Sequence, residues 1–167
     1  LHRVDRRQRQ MCIRDSSLTA ISDFSNYFKA LQANMENYII AIAVKDTPGL
    51  YFTDALYTDM QRIGVTVNLT KKHWYGYAAI IDGGNLLAED AAYQKVVTVK
   101  AKTKDGVAVV STSKPLKVGN ATAISFNGVG GSVCRRGINI MVYDKTKKCV
   151  CDSVCFDTHV KSIDCHR

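Results

Sequence analysis

Apolar and polar residues follow two rhythms along this chain, one helical and one alternating. Order is expected to begin near Ser22–Asp23, a suitable N-cap, with Phe24, Tyr27, Phe28 and Leu31 following at helical spacing. The helix should end before Tyr38, where "YIIAIAV" (Tyr38–Val44) is β-branched and apolar throughout. A run of that kind and length predicts a central strand covered on both faces. "KDTPG" (Lys45–Gly49) reads as a turn. A second helix is predicted over Thr53–Ile63, with Ala55, Leu56, Met60 and Ile63 along one side and Gly64 at the C′ position. "VTVNL" (Val65–Leu69) predicts a short strand, and "WYGYAAIID" (Trp74–Asp82) a longer one stopped by Gly83-Gly84.

From Val96 the alternation takes over. "VVTVKAKT" and "VAVVSTS" flank Lys104-Asp105-Gly106, a compact hairpin signal. "TAISF" predicts a strand ended by the glycine-rich "NGVGG". "INIMVYD" and "CVCDSVCFD" flank "KTKK" and predict a second hairpin. Two helices with eight or nine strands give an α+β, mainly β class: an antiparallel β-sandwich with two flanking helices. Residues 1–16 show neither rhythm, so no packed structure is expected from them.

Charge changes this picture in one place. The chain of 167 residues has a formal net charge of +8, and residues 1–16 hold five arginines against Asp5 and Asp15, a net +3. The remaining +5 comes mostly from dispersed lysines, which suit a solvated surface better than phosphate recognition. The opening "VDRRQRQMCIRDS" resembles a peptide that recurs at the ends of unrelated metagenomic translations, where sequencing-adapter DNA is read as coding sequence. Setting it aside removes most of the case for a nucleic-acid arm. No apolar run approaches the length of about 20 residues that spans a bilayer, so membrane insertion is not expected. The fragment shows no signal peptide.

Candidate chemistry is sparse. Cys149, Cys151 and Cys155 are expected on one face of a strand, as small hydrophobes toward a core rather than zinc ligands. "KKHWYGY" (Lys71–Tyr77) is the densest aromatic run, with Trp74 and Gly76 facing one way and His73, Tyr75 and Tyr77 the other. The exposed set could stack on sugars or contact a protein. Asp46, Asp54, Asp59 and Asp157 are scattered acids, with turn or cap roles for Asp46 and Asp54. No Gly-x-Ser-x-Gly elbow, His-Glu-x-x-His or P-loop is present, so the expectation is a non-enzyme without a cofactor. Asn68-Leu69-Thr70 and Asn120-Ala121-Thr122 are glycosylation sequons.

Two stretches carry a family likeness. "RGINIMVYDKTKKCVCDSVCFDTH" (Arg136–His159) resembles the first half of interleukin-like EMT inducer (PANDER-type) domains: Arg-Gly-(Ile/Leu)-Asn, a strand, a turn, a strand and Phe-Asp. Phe24 to Glu89 resembles the segment C-terminal to Phe-Asp in that family. The halves stand in reversed order, as if one fragment spanned two tandem copies. The expected division is therefore 1–16, 17–94 as the family's C-terminal half and 95–167 as the N-terminal half of a following copy. The two halves could pack as one circularly permuted sandwich. The resemblance implies a non-enzymatic module that recognises carbohydrate or protein, within a larger extracellular, surface or virion-associated protein and beside neighbouring repeats. Arg136, Asn139 and Asp157 join His73, Trp74, Tyr75 and Tyr77 as candidate ligand-binding residues, although Gly137 and Asn139 also suit a structural bend. A structural spacer repeat with no ligand is the alternative reading, and a basic nucleic-acid-binding domain ranks below it.

Overall fold

The computed structural model describes residues 16–167, so the N-terminal arginines and Cys12 lie outside the described residues. Among the described residues, three α-helices, α1 (Ser16–Thr19), α2 (Phe24–Ala33) and α3 (Asp54–Gln61), accompany ten strands in two antiparallel sheets. The six-stranded sheet contains β1 (Tyr38–Lys45), β2 (Tyr75–Asp82), β3 (Asn85–Tyr93), β8 (Gly137–Asp144), β9 (Cys149–Asp157) and β10 (Asp164–His166), in the order β10-β9-β8-β1-β2-β3. The four-stranded sheet is β4 (Val97–Lys102), β5 (Ala108–Lys114), β6 (Ala121–Phe126) and β7 (Val129–Gly130), in chain order. The protein is a mainly β sandwich with helices on the outer face of the larger sheet.

β1 explains the layering. Tyr38, Ile40, Ile42 and Val44 point into a core shared with Phe24, Tyr27, Phe28 and Leu31 of α2. Ile39, Ala41 and Ala43 point the other way, into a second core with Val97, Val99, Val109, Ile124 and Phe126 of the smaller sheet. A strand buried on both faces has no use for polar alternation, hence the unbroken apolar run. Each fully buried Ile or Phe there contributes about 1.5–3 kcal/mol. β1 lies between β2 and β8, pairing Ile40 with Ile81 on one side and with Val142 on the other. Segments from the two ends of the described chain therefore meet at the centre of one sheet.

Helix α2 starts where expected: the Asp23 carboxylate accepts the Asn26 N–H at 2.9 Å. Order begins earlier than the pattern predicts, because α1 places Leu18 in the core at 1% exposure. Residues 65–69 form no strand. The Glu89 carboxylate receives the N–H groups of Thr66 at 3.1 Å and Val67 at 3.3 Å, and the Tyr57 hydroxyl donates to Thr66 O at 2.8 Å. Side chains satisfy that backbone, so no neighbouring strand is required.

The shared-face expectation for the cysteines fails at a β-bulge. Val142 pairs with Asp152 and Tyr143 with Val150, so Cys151 is the extra residue. The inserted residue reverses the alternation. Cys151 joins the helix-side core, whereas Cys155 lies opposite Asn139 on the other face. Cys149 is disulfide-bonded, while Cys134, Cys155 and Cys165 carry free thiols.

Candidate functional site

One end of the sandwich opens. The β1–β2 ladder stops at Ala43–Ala78. Beyond it the Ser113 hydroxyl, wholly buried, donates to Val44 O and accepts the Tyr77 N–H at 3.0 Å. A side chain of the smaller sheet thus takes the place of a strand-to-strand bond and wedges the larger sheet apart. Past the wedge, Asp46 adopts φ +71° and bridges to Pro115, with Leu116 N–H donating to Asp46 O at 3.1 Å. The loop after β1 and the loop before β6 are held together here.

Against these loops lie the start of β8 and the end of β9. Gly137 has φ +106°, and a Cβ there would sit 2.2 Å from Phe156 O. The strands approach so closely that only glycine fits. Asn139, fully buried, accepts the Arg135 N–H at 3.1 Å and donates back to Arg135 O at 2.7 Å. The Cys155 thiol donates to the carbonyls of Arg135 and Arg136 at 3.4 and 3.3 Å. Buried groups therefore fix the backbone of this arginine pair. Burial first, then the charge of Asp157, pushes the Cys155 thiol up to about 12, which leaves it unreactive near neutral pH.

The result is a cleft of about 360 Å³ lined by Lys45, Asp46, Arg135, Arg136 and Asp157, with His166 beside them. Arg136 Nε donates to Asp157 Oδ2 at 2.9 Å, and Asp157 Oδ1 accepts the His159 N–H at 3.0 Å. The His159 ring lies between two acids, with Nδ1 3.4 Å from Asp157 Oδ1 and Nε2 3.9 Å from Asp46 Oδ1. Among the described residues, neither ring nitrogen has a hydrogen-bond partner. His159 escapes sequence reasoning because its neighbours come from the far end of β9 and the loop after β1, and nothing in "FDTHV" signals that. Among the described residues, no group of three His, Cys, Asp or Glu side chains is arranged to hold a metal ion.

The aromatic run borders this end. Trp74 has φ +59°, so the expected alternation starts one residue later, at Tyr75. Its N–H donates to Thr47 Oγ1 at 2.9 Å and its carbonyl accepts Gln94 N–H at 2.9 Å. The indole is 41% exposed, with His73 edge-on at 6.1 Å and Lys117 Nζ 6.0 Å from the ring centre. Tyr75 is half-buried, beside Tyr93 and under Lys72. Thr47 adjoins Asp46 of the cleft, and Lys117 lies in the loop that carries cleft-lining Asn120. The structure thus gathers His73, Trp74, Tyr75, Arg136 and Asp157 at one end.

Two candidates do not present to a ligand. Tyr77 is wholly buried in the helix-side core, and its hydroxyl donates to Glu89 at 2.6 Å. It faces inward because β2 is covered on both sides over this stretch. Asn139 is equally buried and spends its amide on Arg135. Both support the site without lining it. Among the described residues, no helix is long and apolar enough to cross a membrane.

Comparison with protein-family models, with curated proteins and with solved structures gives no match.

Proposed function

We propose that this chain is a non-enzymatic recognition module that binds carbohydrate at the open end of the sandwich. The observation that carries the reading is Trp74: a large, exposed ring held at a left-handed corner by Thr47 and Gln94, next to a polar cleft. A fixed aromatic face beside hydrogen-bonding groups suits a sugar, whose C–H face stacks while its hydroxyls bond. The ring is already anchored through its backbone, so binding orders little more of the protein. The likeness of "RGIN" and "FDTH" to interleukin-like EMT inducer domains supports the same class of role, within a larger extracellular or surface protein.

A glycan array probed with the chain tests this directly. Binding to at least one saccharide class is expected, with Trp74→Ala weakening it more than about tenfold. Folding should be unaffected, since the ring lies outside both cores. A chain that binds no sugar overturns the reading and leaves the structural-spacer alternative.

A further inference from the structure

We infer that the cleft takes a saccharide carrying an anionic group, a carboxylate or a sulfate. This rests on the carbohydrate reading and narrows it. Of the cleft's acids, Asp157 is paired with Arg136 at 2.9 Å, and Asp46 lies 3.9 Å from the His159 ring. Two of the cleft's cations have no carboxylate partner among the described residues. Lys45 Nζ donates to the Cys134 carbonyl at 3.1 Å, and no carboxylate among the described residues pairs with it. The Arg135 side chain is exposed and likewise has no carboxylate partner among the described residues.

What separates this from a chance basic patch is how Arg135 is held. Its N–H and carbonyl are both bonded by the buried Asn139 amide, and its carbonyl also receives the Cys155 thiol. Two buried side chains thus fix the backbone of one exposed arginine. A guanidinium on a fixed backbone offers its fork of donors to a carboxylate or sulfate with little ordering left to do. Trp74 provides the stacking surface and the free cations provide the charge reader, so the ligand is a sugar with an acid on it.

Titration of the chain with three probes of equal length decides the matter: an oligogalacturonate, a sulfated oligogalactan and the neutral oligogalactan. One of the acidic probes should bind at least about tenfold more tightly than the neutral one, and which one does so distinguishes carboxylate from sulfate. Arg135→Gln and Lys45→Gln should each reduce that affinity about tenfold. Lys102→Gln, an exposed lysine of β4 outside the cleft, should leave it unchanged. Arg135→Lys keeps the charge and loses the fork; intermediate affinity is expected, and it serves if the glutamine variant fails to fold. Equal binding of acidic and neutral probes, or acidic binding indifferent to Arg135, overturns this inference while the carbohydrate reading stands. Binding to no sugar at all overturns both. A single-stranded oligonucleotide that binds more tightly than any sugar and depends on Arg135 also overturns it, in favour of phosphate recognition.

Discussion

Arg167 closes on Asp152 with Nε 3.1 Å from Oδ1 and Nη2 3.2 Å from Oδ2. The same Nη2 donates to the carbonyls of Leu18 at 2.8 Å and Ile21 at 2.7 Å. One guanidinium therefore ties α1 and the segment just after it to β9. Asp152 is almost wholly buried and also accepts the Tyr27 hydroxyl at 2.7 Å. Arg167→Gln should cost about 3 kcal/mol, because a buried carboxylate loses its countercharge. The loss should be local as well as global. Amide exchange at residues 18–21 is expected to accelerate more than exchange in β1. Adding Asp152→Asn to Arg167→Gln should recover part of the loss; a double variant no better than the single would mean the charge pair is not the cause.

The Ser113 wedge gives a second test. Ser113→Ala leaves both Val44 O and the Tyr77 N–H without their shared partner in a dry interface. A cost of about 1–3 kcal/mol is expected, visible in the urea midpoint with little change in slope. Ser113→Thr keeps the hydroxyl but adds a methyl group at a position that is wholly buried, so it should cost stability by overpacking. Neither substitution should be neutral; a neutral alanine variant would show that the splayed strands simply re-pair.

Buried phenols should weaken the fold at alkaline pH. Burial first, then the nearby carboxylate (Asp152 for Tyr27, Glu89 for Tyr77), raises both well above their ordinary 10.0. The fold selects the protonated form, whereas the unfolded chain ionises near the ordinary value. Their stabilisation is thus whole below about pH 10 and is lost as pH climbs from there through the raised folded values. Cys155, pushed up to about 12 from 9.0, acts with the same sign and from a lower pH. Urea midpoints measured between about pH 8 and pH 11 should fall toward the alkaline end. Tyr77→Phe should fall less steeply, since its ring stays packed and one titrating group is gone. A midpoint that stays flat across that range would contradict this account.

Several of these features are readable from the chain. Tyr38–Val44 announces a doubly covered strand because every position is apolar, and Asp23 announces α2 because its carboxylate reaches Asn26. Both hairpins around Lys104-Asp105-Gly106 and "KTKK" appear in place. β3 is not readable. "NLLAEDAAY" is rich in residues that strands disfavour, and it is a strand because the Gly83-Gly84 turn lays it along β2. β10, three residues long, carries too little pattern to be seen. The cysteine stripe misleads because a bulge is a property of two paired strands, and one strand's sequence does not contain it. The cleft is hidden for the same reason: Asp46 and His159 meet only after β1 and β8 pair.

Gly137 offers the sharpest test of how the cleft is built. A Cβ at this position meets two penalties, a φ of +106° and an approach of 2.2 Å to Phe156 O. Gly106 meets only the first: its φ is +82° and nothing lies within 4 Å of a built Cβ. Gly106→Ala should therefore cost about 1–2 kcal/mol, the penalty of left-handed backbone alone. Gly137→Ala must also push β9 away from β8, and Phe156 is a wholly buried ring packed on Phe24 and Tyr27. Its cost should exceed that of Gly106→Ala by at least about 2 kcal/mol. The displaced strand carries Asp157, so the 2.9 Å pairing with Arg136 should loosen and ligand affinity should fall even at temperatures where the variant remains folded. Equal costs at the two glycines would mean that the strands can part freely at Gly137, and that the arginine pair is not held as rigidly as its hydrogen bonds imply.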